Sequence, residues 1–298
     1  MMAGKGLPVV CILHGDPPLP DWLARPDPTL RLHLTVNDPG PGRYPVLPAA
    51  ASVHVNAGPV GFGANANAAL DRLDDGEVVV IVNFDVVTDA GALRTLADVV
   101  LADPALAAAG ALLIDPQGRP THGVGRLPTP LRELTRAAGL RSGRGRRISR
   151  ALLRRAGPWR RRNSLPPGGR RLLGPDEYLP WTAVALRRAA FAAIGPFDDR
   201  FPLYAEDIDW ARRAHAAGWR LAVADVGPIA HTESVTTSAY TLALTELGHA
   251  ELHGLWGPPG LARWQRLGLA LRRRTPLRWL TPGLDWSVLD AANAGRGR

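Results

Sequence analysis

Residues 78–82 read Val-Val-Val-Ile-Val, five apolar side chains in a row, followed at once by Asn83, Phe84 and Asp85. Successive side chains of a strand point to opposite faces, so a run without polar alternation suits a strand covered on both faces. Five residues is a strand length and too short for a helix. A sheet buried on both sides needs helices to cover it, and the first half of the chain supplies them. Residues 9–13 and 30–36 read as strands, 61–73 as a helix after a glycine turn, and 108–114 as a further buried strand. Thr88 is expected to cap a helix that carries Leu93, Leu96, Val100 and Leu101 at three-four spacing and stops at Asp103-Pro104. Strand, helix, strand in this order predicts an α/β fold with a mostly parallel sheet flanked by helices.

The second half opens differently. Residues 132–173 hold fourteen Arg against one acid, Glu133. This reads as a basic insertion over about 132–175, partly helical near 148–153. Residues 187–194 and 207–217 then read as helices stopped by Gly195-Pro196 and Gly218, with a strand at 219–224. The expected organisation is an α/β domain over 1–240 and a helical, Arg- and Trp-rich extension over 241–298.

Composition narrows the class. With 298 residues, 46% hydrophobic and 21% charged, the chain can bury a sizeable core and is not a disordered polymer. Cys11 is the only cysteine, which excludes an internal disulfide and a thiolate metal cluster and fits a reducing, cytoplasmic location. The N-terminal apolar run of about six residues is too short for a secretory signal. No stretch reaches the roughly 20 apolar residues of a spanning helix; the best, 96–114, is broken by Asp98, Asp103 and Pro104.

The net charge of +9 is almost wholly arginine, Lys5 being the only lysine. Nucleic acid is not the expected partner, because the basic insert has Trp159 as its only aromatic and no stacking platform. Residues 141–171 and 263–280 instead combine Arg with Leu, Trp264 and Trp279, a pattern suited to the anionic inner face of the plasma membrane. A solvated charged face accounts for the same residues equally well.

Four clusters carry chemistry. Asp85, just past the end of a buried parallel strand, lies where open α/β sheets bind ligands and is a hard oxygen ligand for Mg2+ or Mn2+. It also has the simpler reading of a turn residue. Residues 58–70 place Gly61, Phe62 and Gly63 before a helix with Asn65 and Asn67, whose N-terminus suits phosphate. Most glycine turns are only turns. Residues 197–219 crowd Glu206, Asp207 and Asp209 at a helix start beside Phe201, Tyr204 and Trp210. Dipole compensation explains one acid there, not three in four positions; Arg212 and Arg213 offer them ion-pair partners. Last, His231 follows a strand end and a proline, either as a structural histidine or as a ligand.

In order, these clusters resemble the family-2 inverting glycosyltransferases of the GT-A fold, and among them the bacterial rhamnosyltransferase-like branch. The matching residues are Gly61-Phe62-Gly63 with Asn67, Asn83-Phe84-Asp85, Arg187-Arg188, Phe191, Gly195 and Phe197-Asp198-Asp199, then Tyr204, Glu206-Asp207, Asp209-Trp210, Gly218-Trp219 and His231. They span roughly residues 55–235. The resemblance implies a nucleoside-diphosphate sugar donor, with dTDP-rhamnose suggested by the branch, and a single displacement that inverts the sugar carbon. It implies Gly61, Phe62, Asn67 and Asn83 at the donor, Asp85 and His231 at a divalent cation, and Asp38 at the base. Asp207 is the implied catalytic base, with Glu206 second. The implied acceptor is a polyprenyl-diphosphate-linked glycan in cell-wall or surface-glycan synthesis. Three departures stand out: a short, proline-rich start in which only 36–39 match loosely, Phe84 where the family has proline, and Pro180-Trp181-Thr182 in place of a Ser-Gly-Ala segment beside the donor sugar. An inactive GT-A scaffold at the membrane surface is the alternative reading.

Overall fold

A computed structural model describes residues 6–14, 19–37, 47–49, 51–115, 118, 123–127, 165–231 and 239–257, with 262, 265, 285, 287 and 288. Asp38, most of the basic insertion, and Trp159, Trp264 and Trp279 lie outside the described residues.

The elements are β1 (Leu7–His14), α1 (Asp21–Ala24), β2 (Leu30–Asn37), β3 (Ser52–Val55), α2 (Phe62–Asp71), β4 (Val78–Asn83), β5 (Val86–Val87) and α3 (Ala90–Leu101). There follow β6 (Leu106–Ala111), β7 (Gly125–Arg126), β8 (Arg170–Leu172), β9 (Glu177–Tyr178), β10 (Ala183–Arg187) and α4 (Arg188–Ile194). The chain continues with α5 (Glu206–Ala216), β11 (Arg220–Ala224), β12 (Ala230–His231) and α6 (Ala239–Trp256). An eight-stranded sheet runs in the order β3-β2-β1-β4-β10-β6-β11-β8. The pairings set β3, β2, β1, β4, β6 and β11 in one direction and reverse β10 and β8. This is the expected mixed α/β class, a mostly parallel sheet flanked by helices.

The apolar run at 78–82 is in the middle of that sheet, and its alternate side chains feed two cores. Val78, Val80 and Val82 join Val9, Cys11 and Leu13 on one face with Leu93, Leu96 and Val100 of α3. Val79 and Ile81 join Val10 on the other with Leu70, Ala190, Trp210 and Ala214. Both faces are dry, which is why the sequence shows no alternation there.

Some expectations need correction. The cap of α3 is Asp89, whose carboxylate accepts from the Ala92 N–H at 2.8 Å, one residue after Thr88. The strand read at 108–114 ends at Ala111, and Ile114 instead bridges to Ala230. Gly61 has φ −63° and ψ 160°, so the turn before α2 does not use the left-handed freedom of glycine. That freedom is used at Gly195 (φ 93°) and Gly218 (φ 80°), the two glycines expected to stop helices. Strand β10, wholly buried and antiparallel between β4 and β6, has no clear sequence signature. It is short, with two alanines in five residues, and runs into α4 without a turn.

Arg187 and Arg188, at the β10–α4 junction, serve the ends of two helices. Arg187 is buried and donates to the carbonyls of Val100, Asp103 and Leu106, and it pairs with Glu77. Arg188 donates to the Leu73 carbonyl at 2.9 Å, just past α2. A guanidinium at a helix C-terminus meets both the unpaired carbonyls and the negative end of the dipole.

The chain divides into two compact units. The first holds Met1–Arg126, Arg162–Asp199 and Asp207–Ser234; the second holds Leu127–Arg161, Arg200–Glu206 and Val235–Arg298. Within the second, a Cβ on Gly248 of α6 would sit 2.5 Å from the Tyr204 carbonyl oxygen and 3.0 Å from that of Leu203. Helix and turn therefore meet there backbone to backbone. Among the described residues no helix is long and apolar enough to cross a membrane.

Candidate functional site

Asp85 leaves the carboxyl end of β4, and β5 begins at the next residue. There Val86 pairs with His231 and Val87 with Ala230 in a two-stranded antiparallel ladder. A second tie holds the other side: the His231 N–H donates to the Ile114 carbonyl and the Ile114 N–H to that of Ile229, each at 3.0 Å. The ladder brings His231 Nε2 to 3.1 Å from Asp85 Oδ2, although 146 residues separate them. Their side chains are 21% and 10% exposed, so the pair is mostly withdrawn from water yet reachable from one side. Burial, and after it the Asp85 carboxylate, push the Cys11 thiol far above its ordinary range. Cys11 is accordingly an inert packing residue.

The pair fits a divalent cation. An ion with ligands at about 2.1 Å sets neighbouring octahedral donors about 3.0 Å apart, close to the spacing seen here. Among the described residues no group of three His, Cys, Asp or Glu is placed to hold an ion. A cation at this pair would take its other ligands from water or a bound diphosphate, as Mg2+ commonly does.

A network that the sequence does not announce shapes the neighbouring carboxyl ends. Asn37, at the end of β2, accepts from Asn56 Nδ2 and the Val60 N–H, each at 2.9 Å, and donates to the Val60 carbonyl at 3.0 Å. Asn56 also donates to Asn65 at 2.8 Å, and Asn65 donates back to Gly61 and Val60. Three amides thus fix the loop that enters α2 at Phe62. Their composition gave no periodic signal; three Asn close to a glycine turn was the only hint. Asn67 is also committed within the protein. It donates to the Phe197 carbonyl and accepts from the Phe197 N–H, both at 2.9 Å, and it reaches Asp199 at 3.2 Å. Asn83, the last residue of β4, donates its N–H to the Thr182 carbonyl at 2.8 Å.

The acidic cluster separates into different roles. Asp209 is buried and pairs with Arg213 at 2.8 Å, and Arg213 also donates to the carbonyls of Ile194, Gly195 and Pro196 at the end of α4. This acid is structural. Trp210 faces the core, donating to the Gly195 carbonyl at 3.1 Å. Tyr204 and Ala205 both have left-handed backbones, φ 63° and 76°. Two such residues in succession, neither a glycine, cost free energy that surrounding packing must offset. Glu206 is buried and opens α5, and Asp207 follows it. Because residues 217–219 lead straight from α5 into β11, and Ala211 and Ala214 share a core with Leu221 and Val223, the helix runs back along the sheet. Asp207 Oδ1 accepts from the Ile208 N–H at 2.8 Å at the start of α5.

Trp181 lies in the segment that stands where the family has Ser-Gly-Ala. It is buried, with its ring edge-on to Phe197 at 4.8 Å and to Trp210 at 5.3 Å, and belongs to the core.

No family model matches the chain. Two curated relatives, from the CDC 1551 / Oshkosh and ATCC 25618 / H37Rv strains of Mycobacterium tuberculosis, are each 28% identical over 261 residues. The alignments cover 79% of this chain and 77% of theirs, and both proteins carry the name N-acetylglucosaminyl-diphospho-decaprenol L-rhamnosyltransferase. Among solved structures, GalNAc-T7 with UDP, GalNAc and Mn2+ superposes with TM-score 0.48 at 10% identity. That alignment covers 90% of this chain and 55% of GalNAc-T7. The Pyrobaculum calidifontis mannosyltransferase PcManGT with GDP-Man and Mn2+ gives TM-score 0.47 at 14% identity over 98% of this chain and 76% of that one. Superpositions this loose support no assignment.

Proposed function

We propose that this chain is a member of the rhamnosyltransferase-like branch of the family-2 glycosyltransferases and transfers a sugar from a nucleoside-diphosphate donor to a hydroxyl of a polyprenyl-diphosphate-linked glycan. The reaction belongs to cell-wall glycan synthesis, with dTDP-rhamnose as donor and inversion at the sugar carbon. The observation that carries the reading is the meeting of Asp85 and His231 at 3.1 Å across 146 residues. Such a pair at the carboxyl edge of a mostly parallel sheet is a place to hold a cation against a diphosphate.

Asp85 and His231 would hold Mg2+ or Mn2+, which when bound would offset the negative charge that gathers on the departing diphosphate. The loop fixed by Asn37, Asn56 and Asn65 presents Gly61, Phe62 and the first N–H groups of α2 to the donor. Asp207 accepts the proton of the acceptor hydroxyl as its oxygen bonds to the sugar carbon. The bond from that carbon to the diphosphate oxygen breaks, and its electron pair leaves with the nucleoside diphosphate. The Arg- and Trp-containing segments 141–171 and 263–280 place the enzyme on an anionic membrane surface, where a lipid-linked acceptor is found.

The test is transfer from a panel of radiolabelled sugar nucleotides to a polyprenyl-diphosphate-linked acceptor, with metal-dependent nucleotide binding measured alongside. Wild-type protein is expected to turn over at least one donor, and Asp85→Ala to lose both transfer and metal-dependent binding. Unchanged nucleotide binding in Asp85→Ala would overturn the reading.

A further inference from the structure

Asp85 and His231 are joined through the backbone of a third residue. Val86 follows Asp85 in the chain and is also the ladder partner of His231, so its position sets both. Val86 is fully buried, and its carbonyl accepts from the Trp22 indole Nε1–H at 2.7 Å, a buried contact spanning 64 residues. Trp22 lies in α1, a single turn of helix within the proline-rich stretch that departs most from the family pattern. Its ring is 7% exposed and packs in the same core as Val86, Leu13 and Ile229. Beyond packing, an indole provides a directed donor. A buried carbonyl left without its donor pulls toward water, and β5 is only two residues long.

We propose that Trp22 is a positioning residue for the Asp85–His231 pair, its indole N–H fixing Val86 so that the two side chains are held at ion-binding distance. This rests on the cation reading of that pair, and the test separates the two. Mn2+ alone is titrated into the full-length chain and followed by electron paramagnetic resonance, for wild type, Trp22→Phe, Asp85→Ala and Leu23→Ala. Trp22→Phe keeps an aromatic ring and removes the donor. Leu23 is buried in the same core and carries no donor for the Val86 carbonyl, so its truncation reports general loosening.

Trp22→Phe is expected to raise the Mn2+ Kd by about threefold to tenfold, the range one buried hydrogen bond can shift. Leu23→Ala should lower the thermal midpoint with Mn2+ affinity retained. If Asp85→Ala binds Mn2+ as wild type does, the cation reading fails and this inference with it. If Asp85→Ala loses the ion while Trp22→Phe matches wild type, or while Leu23→Ala weakens Mn2+ as much as Trp22→Phe, only the role of Trp22 is overturned. A measurement on unaltered protein keeps the test open should Trp22→Phe not fold. Coupling is reciprocal, so saturating Mg2+ should slow hydrogen exchange of the Trp22 indole N–H by a factor similar to the Kd change. Exchange indifferent to Mg2+ overturns the proposal.

Discussion

The Asp85–His231 junction and the acid-bearing turn before α5 are built by opposite means. The junction joins residues 146 positions apart through a short ladder, two Ile114 hydrogen bonds and the Trp22 indole, each from a different stretch of chain. Its backbone is relaxed, since neither Asp85 nor His231 has a positive φ. The turn is contiguous in sequence, and its shape comes from two successive left-handed residues, Tyr204 and Ala205. Distant ties make the first place rigid without strain. The second carries strain beside the helix start that holds Asp207, and strain of this kind is common at working sites.

The difference is sharpest for the acids themselves. Asp207→Asn keeps shape and removes the proposed base, so kcat should fall by about 10²- to 10⁴-fold. Glu206→Gln, at a buried position, should change kcat far less while lowering the midpoint of urea unfolding. The opposite ranking in single-turnover transfer assays would make Glu206 the base.

A smaller effect is expected where α6 meets the turn. Gly248→Ala adds a methyl against the Tyr204 carbonyl, and neither backbone can give way without shifting the strained residues. Overpacking of this kind costs about 1–3 kcal/mol, read as a lower urea midpoint with reduced kcat. Mn2+ affinity should hold, because the junction has its own ties. A loss of Mn2+ binding in Gly248→Ala would erase the contrast between the two places.

The smallest effect lies away from both. Burial, and then the neighbouring Arg31, hold the His33 imidazole below its ordinary pKa of 6.5. The fold thus favours neutral His33, and that contribution is complete above pH 6.5 and lost as pH falls through the lowered value. His33→Gln should flatten the decline of urea midpoint on acidification below pH 6.5. An identical decline in the variant would remove His33 as its source.

Much of the fold was legible because its signals are local. The run at 78–82 marked a strand with both faces covered, Gly195 and Gly218 marked helix ends, and three-four spacing marked α3. What escaped was β10, short and rich in alanine, whose place between β4 and β6 depends on partners far away in sequence. The site divides along the same line. From sequence Asp85 could be read as a turn residue, and His231 more readily as a structural histidine than as a ligand. The Asn37–Asn56–Asn65 network and the Trp22 indole contact carried no periodicity at all.

By itself the amino-acid order determined an α/β chain with a doubly covered central strand, helix stops at two glycines, and an acidic helix start. Backbone conformation and hydrophobic period act over a few residues, so they can be read from neighbours. Tertiary structure alone decided that Asp85 meets His231, that Asn67 clasps Phe197, that Arg213 reaches the carbonyls at the end of α4, and that Trp181 is core. Each of these depends on which distant groups arrive beside a side chain to satisfy its hydrogen bonds or cover its surface, and no local pattern encodes that arrival.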